Sequence, residues 1–401
     1  MAENKQNKRP NIPPLRFPEF TEPWKTSTLQ EIAGFSKGTG ISKEQRSETG
    51  LPCILYGELY TTYSCEVIEE VVSRTDLDPS NLVKSRSNDV IIPSSGETAE
   101  DIATARCVAN DNVLLGGDLN IIRLNEPQDG RFMSYQLNGI RKYDIARIAQ
   151  GVSVVHLYSN ELKKLSASLP SYKEQKKIAD FIGLLDKRIA IQNKLIEQLE
   201  SLIKGITLQA AKSNECEKVL LSDILTERNE LNTAQHEVCS VSVSQGVVNQ
   251  VEYLGRSFAA KDISHYNVVH FGDIIYTKSP TGDFPYGIVK RSHQKNLVAV
   301  SPLYGVYIPA SNDIGCFLHY YFCNAISAKN YLHKLIQKGA KNTINITNQR
   351  FLENTINLPK TEKLAQVVAL LNCLSAKKLQ AENLLASLNK QKQFFLNKMF
   401  I

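Results

Sequence analysis

Between residues 178 and 210 the apolar positions recur at alternating steps of four and three: Ile178, Ile182, Leu185, Ile189, Gln192, Ile196, Leu199, Ile203, Ile206 and Ala210. Nine of the ten are apolar in a chain that is 42% apolar, where about four would be expected by chance. A 3.5-residue repeat held this long specifies a helix with a seam for another helix. Pro170 and the capping box Ser171-x-x-Glu174 set its start, so the pattern predicts a helix over 171–212, about 60 Å long at ~1.5 Å per residue. Shifting the seam by 189 residues lands on Val367, Leu371, Leu374, Lys378, Ala381, Leu385, Leu388, Lys392, Phe395 and Met399. Eight of these are apolar, and the two lysines could cover the seam with their stems while their ammonium groups reach water. A second long helix over 359–401 is therefore expected. Burying each seam side chain is worth ~1.5–3 kcal/mol, so neither seam should stay wet. Either could close on another protein or on a second copy. The layout of the chain favours closing them on each other, antiparallel.

That layout is a duplication. LQEI at 29–32 is echoed by LSDI at 221–224, SNDVIIPSSG at 87–96 by FGDIIYTKSP at 271–280, IAQG at 148–151 by IQKG at 336–339, and the Leu-Pro at 169–170 by that at 358–359. The offsets lie between 184 and 192 residues, so one unit is used twice. In the first unit, period-2 and apolar runs predict strands at 67–72, 90–93, 113–115, 121–124 and 151–157, with a helix over 131–150. PLRFPEFTEPW at 14–24 reads as an extended strap anchored by aromatics, and GFSKGTG at 34–40 as a loop. The fold class is α+β: modules at 1–170 and 213–358, and long helices at 171–212 and 359–401.

Charge changes the picture once it is divided. Residues 1–170 carry 19 Lys+Arg against 22 Asp+Glu, and residues 213–358 carry 13 against 12. The helices carry 8 against 5 and 7 against 2, a net +8 against −2 for the modules, so the basic excess sits on them. Any nucleic-acid footprint on the modules must be a local patch. The eight cysteines show no CxxC pair and fit free thiols in a reducing cytoplasm. No run of 18 apolar residues predicts a membrane span, and the opening MAENKQNKRPNIPP lacks the apolar core of a secretory signal and reads as a disordered, Pro-rich lead-in.

Catalytic chemistry finds little support. The 34–40 loop has neither phosphate-cradle spacing, and the only Pro-Pro, at 13–14, is not part of the Asn/Asp-Pro-Pro-aromatic loop of an amino methyltransferase. Asp273 and Lys278 lack the second acid of a nuclease, Glu97, Glu100 and Asp101 read as a solvated loop, and the seven histidines show no zinc spacing. Binding fares better. Each module has a hydroxyl- or lysine-rich loop after its central strand (Ser94, Ser95, Thr98; Lys278, Ser279, Thr281). Each also has basic residues, with aromatics or amides, near its end: Arg131, Arg141, Lys142, Tyr143 and Arg147, then Tyr331, Lys334, Lys338, Lys341 and Asn342. Such groups anchor phosphates and read base edges. Taken singly, each reads better as part of an ordinary solvated face, and their recurrence in both copies is what lifts the reading.

The strap at 14–24 followed by LQEI, the stretch LPSYKEQKKIADFIGLLD at 169–186 and the GDII at 272–275 resemble the specificity subunit of type I restriction-modification enzymes, and the resemblance spans the whole chain. It implies two tandem target-recognition domains, each reading half of a bipartite DNA site, and two long helices packed as an antiparallel coiled coil with pseudo-twofold symmetry, setting the gap between the halves. It implies a non-catalytic cytoplasmic subunit without a cofactor, docking two methyltransferase subunits and restriction/translocase subunits that use S-adenosylmethionine, ATP and Mg²⁺. Glu174, Gln175 and Asp186 become candidates for partner docking. The second copy departs here, with Lys363-Leu364 for Glu174-Gln175 and Ser375 for Asp186. The competing readings are a coiled-coil scaffold that does not touch DNA and a divergent stand-alone nuclease or methyltransferase.

Overall fold

The structure is a computed structural model that describes residues 11–338 and 344–401. The chain divides into two compact units, Met1–Asn193 with Asn383–Ile401, and Lys194–Glu382, and each long helix contributes one half to each unit. The helices run Tyr172–Lys212 and Thr361–Lys398. No described helix is long and apolar enough to cross a membrane.

In the first unit five strands lie in the order Ala33–Lys37, Leu119–Leu124, Asp89–Pro93, Arg106–Val108, Val67–Ile68, antiparallel except for the last pair. The run at 90–93 is a fully buried central strand, and Ile121 and Ile122 beside it are buried as well, because the sheet is covered on both faces. The expected loop at 34–40 is strand as far as Lys37 and turns only from Gly38, where an added Cβ would sit 2.0 Å from the Gly116 carbonyl oxygen. The helix expected over 131–150 is two helices, Gly130–Asn138 and Lys142–Ile148. The break falls at Gly139, pressed against the Tyr135 carbonyl and Leu396. Of 151–157 only Val155–His156 pairs as strand.

In the second unit four antiparallel strands lie in the order Leu225–Glu227, Gly305–Pro309, Ile274–Thr277, Ile288–Arg291. Behind them Tyr276 and Tyr307 stack on Phe351 at 4.7 and 5.0 Å, in a core shared with Phe317 and Phe322 of the helix Asn312–Cys323.

The duplication is visible in how each unit is closed. Lys25–Thr28 pairs antiparallel with Ser166–Leu169 just before the first long helix, and Cys216–Leu220 pairs with Thr355–Pro359 just before the second. The recurring Asp explains its own motif. Asn88 (φ 79°) and Gly272 (φ 94°) turn the chain through the left-handed region, and the next residue, Asp89 or Asp273, is buried. Asp89 holds Arg123 through two bonds of 2.8 and 2.6 Å, and Asp273 holds Arg228 through two of 2.7 and 2.9 Å.

The seams close antiparallel within each unit. In the first, Ile178 and Ile182 pack in one core with Leu396 and Met399, while Leu185 and Ile189 meet Leu388 and Leu385. In the second, Ile203, Ile206 and Ala210 share a core with Leu364, Val367 and Leu371, and Glu200 pairs with Lys378 at 2.7 Å. Leu199 is buried, and Ile196 and Leu374 are half-buried. One lysine departs from expectation: Lys392 does not reach for water but ends between two buried carboxylates.

Candidate nucleic-acid interface and the helix-entry clamp

The first helix opens on three polar side chains, all turned inward. Glu174 is 1% exposed and receives two hydrogen bonds of 2.7 Å from the Arg16 guanidinium and one of 3.3 Å from the Trp24 indole. The Arg16 side chain is itself nearly buried, and its bonds to Glu174 raise its affinity for its proton further. The prolines of the strap prevent a helix there and leave an extended segment that carries Arg16 and Trp24 back to the helix start. Gln175 accepts from the Asp129 backbone N–H at 3.0 Å and donates to Gln128 Oε1 and the Pro170 carbonyl.

Three turns further on, Asp186 accepts from the Tyr135 hydroxyl at 2.6 Å and pairs at 2.6 Å with Lys392, which also pairs with Glu66. Burial and then the Glu66 charge push the Asp186 carboxyl up, and burial pushes the Tyr135 phenol well above its ordinary range. A sequence pattern read as a docking surface is thus an internal clamp. Glu174, Gln175 and Asp186 have spent their hydrogen-bonding capacity on the strap, the module and the second long helix, and are not presented to a partner.

The DNA-binding candidates divide sharply. Ser94 and Ser95 are buried: Ser94 donates its N–H to Asp118 and accepts from Leu157, and Ser95 pairs in register with His156. Their loop folds inward because both its edges find strand partners. Thr98 caps the helix Ala99–Ile102, its hydroxyl shared with Asp101. Arg131 is held at 2.7 Å by both Asp129 and Asp180. Arg141 reaches Asp144 and the Ile401 carbonyl at 3.4 Å. What remains outward is one face of Lys142–Ile148, with Tyr143 75% exposed, Arg147 exposed and Lys142 partly so. In the second unit Ser279 and Thr281 are exposed and Lys278 is half-buried, on the turn where Thr281 and Phe284 exchange backbone bonds. Lys334 is exposed, whereas Tyr331 is a core residue donating its hydroxyl to the Phe351 carbonyl at 2.5 Å. The side chain of Lys338, together with Lys341 and Asn342, lies outside the described residues.

Sequence reasoning missed the partners of the clamp, Arg16, Trp24, Glu66 and Lys392. Lys392 had left a signal, a charged residue at a seam position. Among the described residues no three His, Cys, Asp or Glu side chains converge as a metal site.

A family profile described as the type I restriction modification DNA specificity domain matches residues 21–201, from the end of the strap through most of the first long helix. Over those residues the chain is similar to a type I restriction modification DNA specificity domain. Its role is DNA-sequence specificity in a type I restriction-modification complex. The fold agrees. The S subunit of a type I restriction-modification system from M. genitalium is 16% identical over 97% of this chain and 99% of its own, with a TM-score of 0.64. A chain from a structural study of complex assembly and conformational transition in the type I R-M system is also 16% identical, over 96% and 99%, with a TM-score of 0.51. In the first copy of the repeated unit, the clamp at Glu174, Gln175 and Asp186 secures the long helix to the module.

Proposed function

We propose that this specificity subunit reads a bipartite DNA site, each of its two modules contacting one half, with the two long helices setting the distance between them. The observation that carries the reading is the repeated closure of a module by a strand pair that feeds directly into a long helix. A helix of 41 residues is about 60 Å long, more than the ~34 Å that separates half-sites one DNA turn apart. The chain itself is non-catalytic in this reading. It acts in the cytoplasm, and adenine methylation and ATP-dependent cleavage are supplied by two methyltransferase subunits and by restriction/translocase subunits using S-adenosylmethionine, ATP and Mg²⁺. The outward face of Lys142–Ile148 and the exposed turn around Ser279 and Thr281 are the candidate DNA-facing elements.

The test is to delete one heptad within 185–206, and the matching heptad of the second long helix, then sequence modified bases in cells expressing the complex. Both half-site sequences should persist while the spacer between them changes. An unchanged spacer refutes the ruler, and uniform methylation of unrelated sequences refutes the specificity reading in favour of a scaffold.

A further inference from the structure

The duplication separates what the two units share from what each has for itself. Both carry the closing strand pair and the buried Asp that follows a left-handed turn. Ahead of that Asp they build different structures. In the first unit Leu51–Ile54 pairs with Ser73–Thr75 and with Leu114–Leu115. In the second, Cys239–Ser242 and Gly246–Asn249 form a hairpin and the helix Gln250–Leu254 follows. No regular element then intervenes before Asn267–Val269. When two copies share a frame, what each recognises for itself comes from the parts that differ.

The segment at 250–266 is pinned from within and apolar at its surface. The Gln250 side chain accepts the Phe258 N–H at 2.8 Å and donates to the Ser240 hydroxyl at 3.2 Å. The Tyr266 hydroxyl accepts the Ala260 N–H at 3.0 Å, and Gly255 (φ 73°) ends the helix. Val251, Tyr253, Leu254 and Phe258 are nevertheless exposed, four large side chains within eight residues. An apolar patch on a loop held in this way marks a binding surface. The Arg256 guanidinium lies over the Phe258 ring, 4.5 Å from its centre. Among the described residues neither Arg256 nor Lys261 has a carboxylate partner, and Asp262 is engaged by the Ser264 N–H at 2.9 Å.

We propose that Arg256 reads a guanine in the half-site contacted by the second unit, with the Phe258 ring positioning its guanidinium. The donors of Arg256 are unspent within the chain, and their fork matches O6 and N7 of guanine in the major groove with two bonds. The ring beneath the guanidinium restrains a long side chain, so less freedom is lost on binding. Lys261, exposed on the same segment, offers a phosphate contact that positions without reading sequence.

The proposal rests on the reading that each module contacts one half of a bipartite site. The assembled complex is expressed in cells, and modified sites are mapped for wild type and variants. Arg256→Ala should relax one G·C position of one half-site, discrimination there falling roughly tenfold, while the other half-site stays as in wild type. Arg256→Lys should not restore it, because an ammonium lacks the fork. Phe258→Ala should relax the same position and Phe258→Tyr should keep it, a pattern that a merely structural role would not give. A motif unchanged in Arg256→Ala overturns the proposal, as does relaxation at an A·T position. Uniformly weaker modification with an unchanged motif would make Arg256 a phosphate contact and overturn it. Loss of assembly in size-exclusion chromatography of that variant would make the patch a protein-docking surface and overturn it too. A wild-type complex without a bipartite motif overturns the two-module reading and this proposal together, whereas the other failures leave that reading standing.

Discussion

Glu174 shows how much one side chain can hold. Its carboxylate is buried against a nearly buried Arg16 and the Trp24 indole. Glu174→Ala would strand the guanidinium, a loss of about 3–5 kcal/mol by the usual cost of breaking a buried pair. Calorimetry of the full chain should show it, and adding Arg16→Met should recover part of the loss, since the two share one interaction. A loss below about 0.5 kcal/mol would mean that the pair is effectively solvated. The histidines of the second unit set a pH response. His319 and His293 titrate at about 3 and about 4 in the fold, against 6.5 for a free imidazole, so the unfolded chain binds more protons below 6.5. Their contribution is complete above pH 6.5 and is lost as pH falls through their folded values. Asp186 acts in the opposite sense, because a raised carboxyl gives up stability as pH rises through its folded value. Melting temperature should therefore fall between neutral pH and pH 4, and His319→Gln should flatten that fall. An identical slope in the variant would exclude His319 as its source.

At the scale of the element, the two seam lysines were indistinguishable in the heptad pattern and have different environments. The Lys378 side chain is 28% exposed and pairs with Glu200 and Glu382 at the surface. That of Lys392 is 12% exposed, between Glu66 and Asp186. Lys392→Met leaves two carboxylates facing each other in the interior and should destabilise by about 3–5 kcal/mol. Lys378→Met should change stability by no more than about 1 kcal/mol. Similar melting temperatures for the two variants would refute the distinction. The apolar seam itself was legible from spacing alone, because burial on one helix face forces a period. The break at Gly139 was less so: a glycine within a helical pattern is ambiguous until the Tyr135 carbonyl and Leu396 are seen against it.

For the whole molecule, duplication and near-neutral modules imply that DNA is gripped through small patches. With Tyr143 exposed, Lys142→Ala with Arg147→Ala should weaken DNA binding by the assembled complex without changing the sequence preferred. It should also reduce the slope of log affinity against log salt by about 1–2, roughly one for each phosphate the variant no longer neutralises. A slope identical to wild type would move the first unit's DNA face elsewhere.

The sequence alone determined the two long helices, their seams, the repeated unit and the family they resemble. All of these are periodic or local, and so survive without knowledge of the fold. Even the recurring Asp after Asn88 and Gly272 was visible, though its role as a turn clamp was not. Only the tertiary structure decided which polar residues face inward. Glu174 meets Arg16 across 158 positions and Lys392 meets Glu66 across 326, and no local pattern carries such distances. The same limit hid the burial of Ser94 and Ser95. Whether a charged side chain is solvated or paired depends on what the rest of the chain packs around it.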